Sequence, residues 1–192
     1  MVYPSRIGVE RIKIVAFTGM PGSGKTAAVQ VAVDRGIQVL RMGDSVWDEV
    51  KRRGLPLEAK VVGQVADEMR QSNGPDIWAR RTLKKVDPDA KLVVIDGLRS
   101  LDEMTVFKEA LGRDFILVYI QCPTDIRLQR VTTRGREDDT NTTEAFRARD
   151  ERELSWGLGE VLDEADVIIS NIGTEQELRL NVAYLLSDIF AW

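Results

Sequence analysis

The chain has 192 residues, of which 43% are hydrophobic and 30% are charged, and its formal net charge of -4 argues against a general electrostatic grip on nucleic acid or anionic lipid. It contains no histidine and one cysteine, Cys122, which excludes histidine bases, histidine-dependent triads, histidine metal sites and internal disulfide bonds. No apolar run reaches the roughly 18–20 residues that span a bilayer, and the N-terminus lacks the apolar stretch of a signal peptide, so we expect a cytoplasmic protein.

Strand-like apolar runs alternate with helical patterns along the chain, which predicts an α/β fold. The predicted strands are residues 11–17, 37–42, 92–95, 115–120 and 166–170. The predicted helices cover residues 25–35, 44–53, 57–71, 74–86 and 174–189. Because the runs at 92–95 and 115–120 are continuously apolar, helices should cover both faces of these strands, as in a parallel sheet. We therefore predict a single domain over residues 1–192, built as a three-layer, doubly wound, five-stranded parallel sheet.

The turn between the first predicted strand and the first predicted helix carries the complete pattern G-x-x-x-x-G-K-[ST]. It consists of Gly19, Met20, Pro21, Gly22, Ser23, Gly24, Lys25 and Thr26. Glycines let the backbone fold around a phosphate chain, and the amides at a helix N-terminus bind the anionic β-phosphate. We expect Lys25 to reach the β- and γ-phosphates and the Thr26 hydroxyl to ligate Mg²⁺. The segment therefore predicts a P-loop that binds ATP and Mg²⁺.

Two aspartates follow predicted strands, at the edge of a parallel sheet where ligands bind. Asp96 comes directly after a strand, where a carboxylate can hold Mg²⁺ or its water shell, and capping the turn at Gly97 is the alternative. Arg99, in the same loop, is close enough to contact a phosphate unless it is an ordinary surface charge. Asp44 lies near the start of a helix, where capping would also explain it. Because the chain has no histidine, Asp44 is the leading candidate to orient or deprotonate an acceptor hydroxyl.

The stretch of residues 132–153 is almost entirely polar and interrupts the alternation of strands and helices. It predicts either a mobile lid, which must be polar because it spends time open, or a solvated loop with an exposed helix face. Arg130 and Arg134 lie near each other on the preceding helix, and Arg136 lies inside the stretch. A guanidinium binds phosphate oxygens in pairs, so these three arginines are candidate catalytic ligands, with salt bridges as the alternative.

Asn171, Gly173, the tryptophans and the lone cysteine give less specific signals. Asn171 and Gly173 follow the last predicted strand and start the final helix, where helix capping alone would explain them. The tryptophans Trp47, Trp78 and Trp156 are expected to pack in the core. Cys122, which follows a strand-like run, is expected to be a buried small residue.

The phosphate-loop segment GMPGSGKT resembles that of adenylate kinase, and RMGDSVWDEV resembles the acceptor-side segment of that enzyme. IDGLRS is similar to the Asp-Gly-x-x-Arg turn of the same enzyme but is one residue shorter. The tail ADVIISNIGTEQELRLNV is similar to dephospho-CoA kinase, whose last strand ends in Asn-x-Gly before a helix. The chain therefore resembles the P-loop kinase group that contains both enzymes.

The segments GREDD, DGLRS and FRARDERELSWGLGEV closely resemble an uncharacterised archaeal family that is related to both enzymes. This resemblance covers nearly the whole chain and implies a P-loop kinase fold that binds Mg-ATP. In P-loop kinases the segment that corresponds to Asn171 and Gly173 contacts the adenine ring through backbone groups, so the resemblance implies the same role for these residues.

The sequence therefore predicts an ATP-dependent kinase that transfers the γ-phosphoryl group to a small acceptor, either a nucleoside monophosphate or a dephospho-CoA-like molecule. The acceptor-binding region is expected at residues 42–86 and the lid at residues 132–153. The alternative is a P-loop ATPase or a regulatory nucleotide switch that binds a protein or an RNA. Asp44 and the arginine-rich lid favour the kinase, because a switch needs neither.

Overall fold

The structure is a computed structural model that describes residues 12–134 and 142–191. The strands are β1 Lys13–Thr18, β2 Gln38–Arg41, β3 Leu92–Asp96, β4 Phe115–Gln121 and β5 Val167–Ser170. The helices are α1 Lys25–Asp34, α2 Met42–Arg52, α3 Ala59–Asn73, α4 Ile77–Leu83, α5 Leu101–Leu111, α6 Thr124–Arg134, α7 Thr143–Ser155, α8 Leu158–Asp163 and α9 Glu175–Ala191. A 3-10 turn at Gly112–Asp114 joins α5 to β4.

The strands form one five-stranded parallel sheet in the order β2-β3-β1-β4-β5. In the centre, β1 pairs with β3 on one side and with β4 on the other. Asp96, the last residue of β3, lies between Phe17 of β1 and Arg41 of β2. The loops that follow β1, β2 and β3 therefore meet at one edge of the sheet, which is the edge where α/β proteins bind their ligands.

Alternate residues of β1 face opposite sides of the sheet, and helices cover both sides. Ile14 and Ala16 pack in a core that includes residues of α2, α3, α4, α5 and α8. Val15 and Phe17 pack in a second core that includes residues of α1 and α9. None of these four side chains is accessible to solvent, which explains why the strand is continuously apolar. The predicted three-layer, doubly wound α/β fold with five parallel strands is confirmed.

The predicted strands are all present, but the helices α5 and α8 were not predicted, and several other elements differ at their ends. The second predicted strand ends early, because Met42 already begins α2. Arg41 is therefore the N-cap residue of α2, and Asp44 lies inside the first turn of the helix instead of at its cap. The helix predicted to reach Val86 ends at Leu83, where a short irregular connection to β3 begins.

The predicted core residues are placed correctly in part. Trp78 is 1% exposed and belongs to the core, and Cys122 is buried as expected. The prediction is wrong for Trp47 and Trp156, which are 49% and 38% exposed. The Trp156 ring, which follows α7, instead lies against the guanidinium groups of Arg99 and Arg152. In the parts of the chain that are described, no helix has the length and apolar character needed to cross a membrane.

Candidate active site

The loop between β1 and α1 is packed closely against two other segments. Gly24 has a φ of 107°, and a Cβ added there would overlap the side-chain amide of Asn171, which follows β5. Gly22 has a φ of 79°, and a Cβ there would lie 2.9 Å from the Val131 Cγ2 atom of α6. Because other residues rarely adopt positive φ, both positions require glycine for backbone conformation as well as for space. The predicted phosphate loop is therefore enclosed by α6 and by the loop after β5.

The loop after β5 is joined to the phosphate loop by a buried hydrogen bond. Asn171 Nδ2 donates to the Ser23 carbonyl oxygen at 2.7 Å, and the Asn171 side chain is buried. The Asn171 backbone N–H donates to the Gln121 carbonyl oxygen at 2.8 Å, which fixes it at the end of β4. Asn171 therefore lies directly beside the phosphate loop, with Gly173 two residues further along the same segment.

Arg130 supports this same segment from α6. Its guanidinium donates to the Gly173 carbonyl oxygen at 2.9 Å, to Asn171 Oδ1 at 3.4 Å and to Cys122 Sγ at 3.3 Å. Arg134 is the last residue of α6, but its side chain is outside the described part of the structure, and so is the whole of Arg136. The structure therefore gives Arg130 a supporting role, and the roles of the other two arginines stay predictions.

Lys25 begins α1 and its side chain folds back over the loop. Its ammonium group donates to the carbonyl oxygens of Gly19 at 2.5 Å and Met20 at 3.1 Å. Burial lowers the pKa of Lys25 to about 8, while the nearby carboxylates of Asp96 and Glu153 act in the opposite direction. Lys25 is thus a partly desolvated cation that has carboxylates on two other segments within electrostatic range, at the ligand-binding edge of the sheet.

Two carboxylates meet at this edge. The pKa of Asp96 is raised above its usual value, mainly by burial and also by the negative charge of Asp44. The positive charges of Lys25, Arg41 and Arg99 act in the opposite direction. The Arg41 Nε atom lies 3.9 Å from Asp96 Oδ2. Asp44 is half-buried in the first turn of α2, which follows β2 without a loop. The short connection therefore places Asp44 within electrostatic range of Asp96, which is also within electrostatic range of Lys25.

Helix α7 contacts the phosphate loop through a buried ion pair. The Arg127 guanidinium of α6 donates to both carboxylate oxygens of Asp150, at 2.9 and 2.6 Å, and to the Pro21 carbonyl oxygen at 3.0 Å. It also lies over the Phe146 ring, 5.1 Å from its centroid. The two charged side chains are only 4% and 14% exposed. The Arg127–Asp150 ion pair thus fixes the described part of the polar stretch, residues 142–153, against the loop.

The inner face of α7 adds charged residues that sequence analysis missed. Glu153 Oε2 lies 3.3 Å from the Arg99 Nε atom, so α7 is also connected to the loop after β3. Glu153 and Arg149 both lie close enough to Lys25 to affect its pKa. The signal in the sequence was their spacing of four residues, which places both on one face of a helix. The stretch was interpreted as a mobile lid or as a solvated loop with an exposed helix face, so the inward orientation of this face was not predicted.

The Arg127–Asp150 ion pair is expected to stabilise the fold. In the Asp150→Ala variant the Arg127 guanidinium stays buried without its carboxylate, so we expect the free energy of unfolding to fall by about 2 to 3 kcal/mol. Urea unfolding at equilibrium measures this change. Glu164→Ala is the matched control, because Glu164 forms an exposed ion pair with Lys108 at 3.0 Å and its loss should cost no more than about 0.5 kcal/mol. Equal effects of the two substitutions would contradict a structural role for the buried pair.

Comparison with known protein sequences gives matches along almost the whole chain. A family model described as an AAA domain matches residues 18–147, a range that includes the phosphate loop and both carboxylates. A UPF0200 protein of Methanosarcina barkeri is 43% identical over 178 residues, which cover 92% of this chain and 96% of that protein. A UPF0200 protein of Thermococcus onnurineus is 39% identical over 182 residues, with 93% and 98% covered. These matches confirm the resemblance to an archaeal family of P-loop kinase-like proteins.

Comparison with solved structures gives kinases of similar fold. Shikimate kinase from Acinetobacter baumannii in complex with shikimate has a TM-score of 0.55 and 16% identity, with 93% of this chain and 95% of that chain covered. Shikimate kinase from Bacteroides thetaiotaomicron has a TM-score of 0.58 and 16% identity, with 91% and 98% covered. At such low identity the shared property is the fold, which is that of P-loop kinases.

Proposed function

We propose that this chain, which belongs to the AAA domain family and to the UPF0200 family, is an ATP-dependent kinase that phosphorylates a small acceptor. The acceptor is either a nucleoside monophosphate or a dephospho-CoA-like molecule. The observation that carries the proposal is that Asp44 and Lys25 both lie within electrostatic range of Asp96. A nucleotide switch needs a phosphate loop and one metal ligand, whereas a second carboxylate at the sheet edge suits a site that also receives an acceptor.

The phosphate loop fits a nucleoside triphosphate. Side chains at Gly22 and Gly24 would collide with neighbouring segments, so the backbone there is bare and can approach phosphate oxygens. The Ser23 hydroxyl is buried and has no hydrogen-bond partner among the described residues, which leaves it free for a ligand. The loop amides would hold the β-phosphate, Lys25 the β- and γ-phosphates, and the segment of Asn171 and Gly173 the base.

The donor set also fits Mg²⁺. Thr26 and Asp96 offer a hydroxyl and a carboxylate oxygen, and Mg²⁺ completes its shell with waters and substrate phosphates. In the described part of the chain no group of three or more His, Cys, Asp or Glu residues could hold a metal ion. When bound, Mg²⁺ supplies positive charge that offsets the charge of the phosphates.

The other charged residues at this edge would orient the acceptor and stabilise the transferred group. Asp44 would hold the acceptor and accept its proton, since a carboxylate within reach can serve as the base. Lys25, Arg99 and Arg149 would offset negative charge on the phosphoryl group, which is the main task of a phosphoryl-transfer site. The helices α2, α3 and α4, which lie within residues 42–86, would form the acceptor side.

We expect residues 132–153 to act as a lid over bound nucleotide, with residues 142–153 already held against the phosphate loop by the Arg127–Asp150 ion pair. Closure would exclude water from the phosphoryl group, and the polar composition of the stretch suits a segment that also meets solvent. Hydrogen exchange with and without the Mg²⁺ complex of a non-hydrolysable ATP analogue measures this, with the second half of α9 as the internal control. Slower exchange in residues 132–153 and unchanged exchange in the control is the expected result. Equal exchange of both segments in the two states would contradict a lid.

The kinase proposal is tested by the rate of ADP release in the presence of candidate acceptors. Purified protein with Mg-ATP is incubated with AMP, CMP, UMP, GMP or dephospho-CoA, and each rate is compared with that in buffer alone. We expect one of these acceptors to raise ADP release by at least about tenfold, because a positioned acceptor reacts faster than solvent water. A rate that no acceptor changes would favour an ATPase or a nucleotide switch.

A further inference from the structure

The two acceptor classes differ in the atom that attacks ATP. A phosphate monoester oxygen is already an anion at neutral pH, since its second pKa is about 6, so it needs no base but does need cations to bind it. An alcohol is neutral, so it needs a base to take its proton but no cation at the attacking atom. The charges on the acceptor side of the site therefore distinguish the two classes.

The arginines of the acceptor side are all paired with carboxylates. The sequence has six arginines between residues 41 and 86. They are Arg41, Arg52, Arg53, Arg70, Arg80 and Arg81. Each has a nitrogen between 2.5 and 3.9 Å from a carboxylate oxygen. A phosphate-bearing acceptor would have to share a guanidinium group with one of these carboxylates.

Three of these arginines converge on one buried carboxylate. Glu49 is 1% exposed and accepts hydrogen bonds from Arg52 at 2.6 Å, from Arg53 at 2.8 Å and from Arg81 at 2.9 Å. The hydrogen bond from Arg52, followed by those from the other two, holds the pKa of Glu49 well below its usual range. Withdrawing these arginines would leave a buried charge unpaired, which is costly. Arg81 connects α4 to α2, and Arg52 and Arg53 pair with Glu49 from the end of its own helix. These pairings make the three arginines poor ligands for an acceptor phosphate.

The edge of the sheet next to Lys25 offers carboxylates instead. Asp44 and Asp96 lie within electrostatic range of each other, and the nearest acceptor-side arginine, Arg41, is paired with Asp96 at 3.9 Å. In the proposed site Lys25, Arg99 and Arg149 serve the transferred phosphoryl group and Asp96 serves Mg²⁺, so an acceptor phosphate would meet the like charge of Asp44. A neutral hydroxyl can instead donate a hydrogen bond to the Asp44 carboxylate. The geometry points to an acceptor that attacks through an alcohol hydroxyl and not through a phosphate oxygen. This inference rests on the proposed kinase function and narrows its acceptor class.

Transfer of the γ-phosphoryl group to an alcohol forms one bond to phosphorus and breaks another. The acceptor oxygen forms a bond to the γ-phosphorus, and the bond from that phosphorus to the β,γ-bridging oxygen breaks. The bridging oxygen keeps the electron pair and leaves as part of ADP. The hydroxyl proton passes to the Asp44 carboxylate and then to solvent. The product is a phosphate monoester of the acceptor, in contrast to the phosphoanhydride that a nucleoside monophosphate kinase makes.

Phosphorus NMR of the reaction products tests this inference, because it separates phosphate monoesters, phosphoanhydrides and inorganic phosphate. The whole protein is incubated with Mg-ATP and one probe at a time. The alcohol probes are dephospho-CoA, shikimate, adenosine, cytidine, guanosine and uridine. The phosphate probes are AMP, CMP, GMP and UMP, which also carry ribose hydroxyls and so offer both kinds of attacking oxygen within one molecule.

We expect a new phosphate monoester from at least one probe and no new phosphoanhydride from any of the monophosphates. A nucleoside diphosphate formed from a monophosphate other than AMP, or ADP formed from AMP beyond that left by ATP, would overturn the inference and leave the kinase proposal standing. Inorganic phosphate as the only product with every probe would overturn the kinase proposal, and the inference with it. The two failures therefore give different spectra.

Discussion

The Lys25→Ala variant is expected to lose phosphoryl transfer by a factor of about 10²–10³ while it keeps its fold. The Lys25 ammonium donates to two carbonyl oxygens of its own loop and lies at the edge where the γ-phosphate would be bound. A phosphoryl-transfer transition state depends on such positioned charges. The side chain is not part of the apolar core, so its removal leaves the packing unchanged. Product formation at saturating ATP measures the loss, and thermal unfolding by circular dichroism checks the fold.

Lys108→Ala is the matched control for this substitution. Lys108 is a partly exposed residue of α5 whose ammonium pairs with Glu164 on the surface at 3.0 Å. Removal of this charge should leave the transfer rate within about twofold of the unmodified protein, because surface ion pairs contribute little. Near-normal transfer by a folded Lys25→Ala variant would show that the phosphate loop does not act as proposed.

The Asp44→Asn variant is expected to lose transfer to the acceptor by about 10²–10⁴-fold, which is the usual contribution of a positioned base. Asparagine keeps the shape of the side chain but cannot take a proton. Asp44 lies in the first turn of α2 and not at its N-cap, so capping does not explain it. ATP affinity should stay within about twofold, because Lys25, Thr26 and Asp96 are unchanged. The measurement pairs ATP affinity, from calorimetric titration, with the rate of transfer to the acceptor.

Asp48→Asn is the control on the same helix. Asp48 lies four residues after Asp44, is exposed, and pairs with Lys85 at 2.7 Å. Both variants remove one negative charge from α2. A difference in transfer rate between them would therefore show that the position of the charge matters, and not only its presence on the helix. Equal and small effects of the two substitutions would reduce Asp44 to an ordinary residue of the first turn and would favour hydrolysis as the activity.

The sheet could be predicted because its strands are buried on both faces. A run such as residues 92–95 has no polar residue at all, and that pattern has few explanations other than a parallel strand between two helical layers. The ends of the helices were less predictable. Met42 and Gly43 carry no strong start signal, so the first helical residue after β2 could not be located, and Asp44 was expected near the cap.

The phosphate loop could be predicted because its chemistry requires fixed residues at fixed spacing. The contacts of the charged residues around it could not be predicted, because side-chain partners on distant segments leave no local pattern. Arg130 was expected to bind phosphate, yet its donors reach Gly173 and Asn171, more than 40 residues away in the chain. Arg149 and Glu153 lie near Lys25 because the Arg127–Asp150 and Arg99–Glu153 ion pairs set the position of α7.

The fate of the γ-phosphate tests the central claim most directly. ATP labelled at the γ-phosphate is incubated with the protein, Mg²⁺ and the acceptors named above, and the label is followed into organic product and inorganic phosphate. We predict that most of the label lost from ATP appears in a phosphorylated acceptor, and that Lys25→Ala slows this transfer by about 10²-fold or more. Label that appears only in inorganic phosphate, at the same rate with every acceptor, would contradict the assignment of this protein as a kinase.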